Sequence, residues 1–410
     1  YSKIEYEQME STMSTATLEI TSDYAKLAVG YVLSGQPVLL YMAKRPLPNC
    51  MNKGDIIDSK AVSDIIKDFL KTEDEAAGLK LNVQTVSLIL PPIGFTVYQS
   101  VKTTNVIASN GMIDKIDISN VMSLVRKDPL PQGSSIVDIV PDCFILNTQK
   151  VYANPPLGEK SDSLTVQAKI HTLPEKKLYD YRSTVEAAGF RIKRCCVATY
   201  CASQLFASDK TVPESYIYVD MGAKLTTLSL IGRTSPITSL FLYVGGDNLT
   251  DDIAEGLNLS FEEATRVKEK YGFDERKTSF MTPICKSQND DGSTSLHYQK
   301  ELNNIIKGFY EKFDTLLANA LSTLVSKQPF KEPLMSLPLI LGGGASSLNG
   351  LEKLLPESAK GRTLRRYVPH VLGARDPSAI NLLGLIAADG SYKGTLEDDY
   401  HGVSTLSRNR

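Results

Sequence analysis

Two short stretches carry residue types suited to holding a phosphate. In Asp220-Met221-Gly222-Ala223-Lys224-Leu225-Thr226-Thr227 an acidic residue closes an apolar run, and a glycine and a small residue follow almost at once. A hairpin of this kind turns successive backbone N–H groups toward one point and makes a concave anion site, and the carboxylate before it can hold a magnesium ion through water. Gly222 lets the chain approach a phosphate closely, and Thr226 or Thr227 adds a hydroxyl donor. The same residues also describe an ordinary hairpin. The second stretch is Leu341-Gly342-Gly343-Gly344-Ala345-Ser346, a glycine run after the apolar strand Leu337 to Leu341 and before a helix containing Leu351 and Leu354. Such a turn brings N–H groups and a helix N-terminus to an anion or a nucleoside. It has neither the Gly-Lys-Ser/Thr ending of a P-loop nor the full G-x-G-x-x-G spacing.

The elements that must position these stretches form a repeat. Strand-turn-strand-turn-strand patterning occurs twice, about 200 residues apart. The first copy reads Thr17 to Ile20, Ala25 to Leu33 and Pro37 to Met42; the second reads Tyr216 to Asp220, Leu225 to Ile231 and Pro236 to Tyr243. Amphipathic helices follow each copy. Ser59 to Leu70 places Val62, Ile65, Ile66 and Phe69 on one face, with a strand after it at Val86 to Leu90. In the second half Asp247 caps a helix through Leu257, and Ser260 with Glu263 forms a capping box for a helix toward Lys270 that Tyr271-Gly272 ends. Between the halves, Pro91 to Leu173 reads as a small α+β insert with strands at Thr96 to Val101, Ser135 to Val140 and Leu164 to His171 and a helix near Ile118 to Val125. Lys286 to Thr294 reads as a loop and Leu302 to Val325 as a long helix.

Composition bounds the reading. A chain of 410 residues suits two large domains, and 42% hydrophobic with 22% charged residues is a globular profile. A formal net charge of -2 gives a nucleic acid no general electrostatic reason to bind. The six cysteines show no C-x-x-C spacing beside only four histidines, which predicts a reduced, cytoplasmic protein without a metal cluster. No apolar run reaches the roughly 20 residues of a membrane span, and the polar, acidic start from Tyr1 to Thr15 is unlike a signal peptide.

The order of these parts resembles the FtsA family of actin-like bacterial cell-division proteins. Val219 to Ala223 looks like the family's second phosphate hairpin, and Val244-Gly245-Gly246-Asp247 through Ala254 like its turn into the next helix. Glu262-Glu263-Ala264 through Lys268 to Tyr271-Gly272 is similar to its nucleoside-side helix, and Gly342-Gly343-Gly344 with Leu348-Asn349-Gly350 to its adenosine motif. In the insert, Ile139-Val140-Pro141, Phe144 to Asn147 and Asn154 to Gly158 are FtsA-like. The resemblance runs from Leu18 to Ala388. It implies a duplicated, ribonuclease H-like α/β fold of the actin type, with two domains and an FtsA-type inserted α+β subdomain. The expected divisions are a tail over 1–15, a first domain over 16–90 and 174–213, the insert over 91–173, a second domain over 214–389 with a smaller subdomain at about 247–336, and a tail over 390–410. It further implies ATP with Mg2+ in the cleft between the domains, self-association into filaments, and recruitment of an FtsZ-like protein tail and other division proteins at the inner face of the cell membrane. The implied nucleotide ligands are Ser22, Lys26, Asp220, Gly222, Ala223, Lys224, Thr226, Thr227, Gly245, Gly246, Lys268, Gly342, Gly343, Gly344 and Ala345, with Glu19 and Asp220 toward the metal. The pilus-assembly protein PilM, a scaffold for a peptide of a membrane protein, shares the same parts and is the second reading; a kinase or chaperone-type ATPase is the third.

The chain departs from the family at four places. The first phosphate hairpin normally reads Asp-Ile-Gly-Thr/Ser-x-x-x-Lys, and here Glu19-Ile20-Thr21-Ser22-Asp23-Tyr24-Ala25-Lys26 has no glycine and adds the carboxylate of Asp23, which repels phosphate unless metal or Lys26 offsets it, so ATP is expected to bind weakly or not at all. Thr265 stands where the family has a Glu that accepts from ribose hydroxyls. Val197 to Ser203 holds no carboxylate to orient water, so slow or absent ATP turnover is expected. Gly390 to Arg410 shows no apolar stripe of the membrane-lying helix that usually ends FtsA proteins, so either that segment has been cut away or a partner makes the membrane contact.

Overall fold

The computed structural model describes residues 14–74, 79–276, 282–328 and 332–390. By contact the chain divides into two units, Tyr1–Asp209 with Asn381–Arg410, and Lys210–Ile380. The expected tails lie almost wholly outside the described residues.

The first unit opens with three strands, β1 (Thr15–Ile20), β2 (Tyr24–Leu33) and β3 (Gln36–Pro46), then α1 (Ser59–Ile66) and β4 (Thr85–Leu90). The inserted elements follow: β5 (Thr96–Asn105), α2 (Lys115–Arg126), β6 (Ser134–Leu146), β7 (Val151–Tyr152) and β8 (Ser163–Pro174). The unit then resumes with α3 (Glu175–Ala187), β9 (Arg191–Val197) and α4 (Ala198–Ala207). The main sheet has the order β9-β4-β1-β2-β3, with β1, β2 and β3 antiparallel and β4 and β9 parallel to β1. The inserted sheet has the order β7-β6-β8-β5 and is antiparallel throughout. It closes on a core of its own, where Ile118, Val121 and Val125 of α2 meet Phe144, Val166 and Ile170.

The second unit repeats the first unit's main sheet. β10 (Tyr216–Met221), β11 (Thr226–Gly232) and β12 (Ser235–Leu242) are antiparallel, and β15 (Leu339–Gly342) and β16 (Leu364–Arg366) run parallel beside β10 in the order β12-β11-β10-β15-β16. The duplication seen in the sequence is therefore a duplication of strand order and direction. Between β12 and β15 lie α5 (Gly246–Leu257), α6 (Phe261–Tyr271), a hairpin of β13 (Cys285–Gln288) and β14 (Thr294–His297), and α7 (Gln299–Ser326). One face of α7 is buried at Leu302, Ile306, Tyr310, Phe313, Leu317, Leu321 and Leu324, the three-and-four spacing of a single helical stripe, and packs with Ile217, Val219, Leu339 and Leu341 of the sheet.

Three expectations differ from what is observed. Lys286 to Thr294, read as a loop, holds most of the β13–β14 hairpin. The helix expected around Leu351 and Leu354 is a single 3-10 turn, and the glycine run enters another at Gly344–Ser347. The second domain, read as far as residue 389, gives up the chain at Ile380, and α8 (Ile380–Gly390) runs into the first unit. The reason is apolar burial: Leu382, Leu385 and Ile386 are fully buried in the first unit's core with Leu18, Leu27 and Leu88. Thr17 also donates to the Leu382 carbonyl at 3.3 Å.

Candidate functional site

The candidate residues form two sets, one in each unit. In the second unit Asp220 of β10 lies opposite Thr227 on β11 and Gly342 on β15. Directly paired residues project to the same face, so Thr227 stands on the Asp220 face while Thr226 shares the opposite face with Met221. Thr226 is buried and donates its hydroxyl to the Val244 carbonyl at 2.8 Å. Of the two threonines assigned to phosphate, it is the one that ties the hairpin to the start of α5.

The hairpin turn closes with the Gly222 amide donating to Leu225 at 2.9 Å, and Lys224 is exposed at its tip. The carbonyls of Gly222 and Ala223 then accept from the amides of Gly246 (3.0 Å) and Asp247 (2.8 Å). The first amides of α5 are thus spent on the hairpin, and what an anion meets here is the hairpin's own backbone; among the described residues the Ala223 amide has no acceptor. The cap of α5 is Gly245, not Asp247. A Cβ at position 245 would lie 2.4 Å from both the Gly222 and Ala223 carbonyl oxygens, so no capping side chain fits, and Asn248 accepts from the Gly245 amide at 2.9 Å instead. Lys268, read as a nucleoside contact, donates to the Gly246 carbonyl (2.8 Å) and the Thr250 hydroxyl (2.6 Å) and so clips α6 to the first turn of α5. Thr265 turns its hydroxyl back to the Phe261 carbonyl at 2.9 Å.

The glycine run is laid directly on the end of β10. Gly343 has φ +79°, and a Cβ there would fall 2.3 Å from Asp220 Oδ1 and 2.5 Å from the Met221 carbonyl. Gly344, by contrast, faces only the Ser378 Cβ, at 3.7 Å. Ala345 sits over Gly246, its Cβ 3.1 Å from where a side chain at 246 would start. Asp220, Gly222, Gly245, Gly246, Lys268, Gly343 and Ala345 therefore meet in one place although the chain separates them widely. Arg366 completes the turn: Nη1 donates to the carbonyls of Ser346 (3.3 Å) and Leu348 (3.4 Å), and Nε pairs with Glu352 at 3.4 Å. Its role had no signal in the sequence beyond an arginine at the end of a short strand.

In the first unit Glu19 lies opposite Lys26 across β1 and β2, and the two form an ion pair at 3.2 Å. Asn381 donates to the other Glu19 oxygen at 2.7 Å. Both oxygens of the carboxylate assigned to metal are engaged within the fold, and Glu19 is buried. The turn that carries Ser22 closes without a glycine because the Thr21 hydroxyl accepts from the Tyr24 amide at 3.2 Å while the Thr21 amide donates to the Tyr24 carbonyl at 2.9 Å. None of Thr21, Ser22 and Asp23 takes a positive φ. Among the described residues no three His, Cys, Asp or Glu side chains group to hold a metal ion. The hairpin backbone would suit a phosphate, and the carboxylate of Asp220 a Mg2+ held through water; Glu19 has Lys26 on one oxygen and Asn381 on the other.

The family model of the cell division protein FtsA matches residues 217–384, the span that holds every candidate residue of the second unit. FtsA of Staphylococcus epidermidis is 24% identical over 364 residues, 86% of this chain and 74% of that protein. FtsA of Bacillus subtilis is 24% identical over 381 residues, 90% of this chain and 82% of that protein. The chain is thus similar to FtsA over most of its length. Its fold is actin-like: it superposes on a chain of the PilM–PilN type IV pilus biogenesis complex with a TM-score of 0.59 at 18% identity, covering 92% of this chain and 98% of that one. MreB5 of Spiroplasma citri, bound to AMPPNP, gives a TM-score of 0.54 at 12% identity, covering 91% and 95%. No described helix is long and apolar enough to cross a membrane.

Proposed function

We propose that this chain is a bacterial cell-division adaptor of the FtsA type, which binds ATP weakly at the second unit's hairpin and glycine turn, self-associates, and brings an FtsZ-like filament to the inner face of the membrane. The observation that carries the reading is the similarity to FtsA over most of the chain, together with the meeting of Asp220, Gly222, Gly343 and Ala345 in one place. Backbone donors of the hairpin would take the phosphates, and Asp220 would hold a Mg2+ through water. The ion, when bound, screens phosphate charge. Glu19 serves the first hairpin through Lys26 and Asn381 and gives no ligand to the metal. With no carboxylate between Val197 and Ser203 to orient an attacking water, turnover is slow or absent. The FtsZ-like tail is assigned to the smaller part of the second unit, Asp247 to Ser336, where Phe261 is a large apolar residue exposed on α6.

Calorimetry with ATP and magnesium tests the nucleotide half of the reading, with a Gly344→Asp variant as the blocked control. Titration with a peptide of an FtsZ C-terminal tail tests the adaptor half, with Phe261→Ala as its control. Failure of the tail peptide to bind would remove the adaptor reading. The likeness to a chain of the PilM–PilN complex supports a second reading, a scaffold that binds a short peptide of a membrane assembly protein. Binding of such a peptide, with none of the FtsZ tail, would favour it.

A further inference from the structure

A buried ionic cluster in the first unit joins four segments far apart in sequence. Arg194 on β9 donates through Nη2 to Asp138 Oδ2 at 2.8 Å and through Nη1 to Asp389 Oδ1 at 3.2 Å. Asp389, at the end of α8, accepts the Ser87 hydroxyl of β4 on its other oxygen at 2.5 Å, and the Cys196 thiol donates to Asp138 at 3.5 Å. The guanidinium also lies over the Tyr200 ring, 5.5 Å from its centroid. The three charged side chains are each at most 1% exposed.

Two features mark this cluster as built for its partners. Asp138 follows a bulge in β6, between Ile136 and Asp138, and Arg194 follows a bulge in β9, between Ile192 and Arg194. A bulge re-aims the side chain beside it, and here one on each strand serves the same ion pair. Burying three charges often stabilises less than packing apolar side chains of the same volume, and the best-attested role for such a group is registry between the parts it joins. The parts joined are the insert, which has its own core and supplies Asp138, the main sheet, which supplies Arg194 and Ser87, and α8, which supplies Asp389.

We propose that Arg194 is a latch that couples the seating of the inserted subdomain to the seating of the end of α8. Either carboxylate holds the guanidinium in place for the other. Releasing the end of α8 loosens the insert where β6 and β8 meet the main sheet, and unseating the insert frees the end of α8. The latch uses none of the residues assigned to nucleotide and stands or falls apart from that assignment.

Hydrogen exchange read by mass spectrometry on the full chain tests it, comparing wild type with Asp389→Asn and with the milder Ser87→Ala, which keeps all three charges. The expected result is faster exchange at the end of α8 and also in β6 around Asp138 and β8 around His171, with α7 of the second unit unchanged. Loosening confined to α8 would overturn the coupling, and so would a uniform acceleration across both units. A double-mutant cycle of Asp138→Asn with Asp389→Asn is expected to be non-additive by about tenfold in the unfolding constant, within the range for residues sharing one network. Additive effects would overturn it as well.

Discussion

At the scale of single residues, Gly343 and Gly344 are neighbours whose substitutions part company. Gly343 has a positive φ and no room for a Cβ beside Asp220, so Gly343→Asp is expected to lower the melting temperature, the backbone strain alone costing about 1–3 kcal/mol. Gly344→Asp meets only the Ser378 Cβ, and is expected to leave thermal stability unchanged while weakening ATP at least about tenfold, ~1.4 kcal/mol, by setting a carboxylate at the turn. Calorimetric binding and thermal melts of the two variants, side by side, separate the effects. His171 gives a prediction of another kind. It is fully buried, edge-on to Phe95 and Tyr200, with no hydrogen-bond partner for either ring nitrogen among the described residues. Burial pushes its pKa down from 6.5 to about 4; Asp138 pulls the other way, and Lys169 and Arg194 add to the lowering. The unfolded chain therefore takes up a proton between pH 6.5 and about 4 that the native site refuses, so this residue's contribution to stability falls as pH falls through that window. His171→Phe is expected to flatten that part of the stability profile in denaturant melts run from pH 7 to pH 4. Residue types marked Asp220, Gly222 and the glycine run as candidates without separating them from an ordinary hairpin and turn; that the two stretches lie side by side came only with the fold. They did not announce that Thr226 and Lys268 are taken up by Val244, Gly246 and Thr250, since a polar side chain's partner depends on what the fold brings near it.

At the scale of elements, the boundaries that held are those with a local cause. Ser260 accepts from the Glu263 amide at 3.2 Å, and Glu263 accepts from the Ser260 amide at 3.1 Å, the box expected for α6. Ser260→Ala is expected to cost about 1 kcal/mol in chemical denaturation, the usual worth of a lost N-cap. The Ser260 hydroxyl, and then its amide, hold Glu263 below the ordinary carboxylate range, so the box supports the helix above that range and is lost as pH falls through the lowered pKa. The cap of α5 was misread because its cause is not local: the hairpin carbonyls crowd position 245 until only a glycine fits, and the reciprocal bond comes from Asn248. The β13–β14 hairpin has no apolar alternation in its sequence, because the positions that alternate inward are polar, Ser287 and His297, while Leu296 is exposed. The two three-stranded openings were legible because each is a set of short β-branched and aliphatic runs, buried almost continuously in the first two strands, and is punctuated by turn residues.

At the scale of the whole molecule, the duplicated sheets and the insert were legible, and the point where the chain leaves the second unit was not. The apolar run of α8 fits either core by composition; only the packing of Leu382, Leu385 and Ile386 with Leu18, Leu27 and Leu88 decides. Leu385→Ala is accordingly expected to destabilise the first unit by about 2–5 kcal/mol, the range for a buried leucine. Hydrogen exchange should show the loss in β1 and β2, near the other end of the chain, and leave β10 and β11 unaffected. The same return of the chain sets an order of events during synthesis. The first unit's core stays short of its last three leucine-class side chains, and Glu19 of its Asn381 partner, until all of Lys210–Ile380 has been made. At ~5–20 residues per second that is a wait of roughly ten to thirty seconds. Through that interval Leu18, Leu27 and Leu88 lack the apolar cover that α8 later supplies, so a first half released early is expected to be the more aggregation-prone part of the chain.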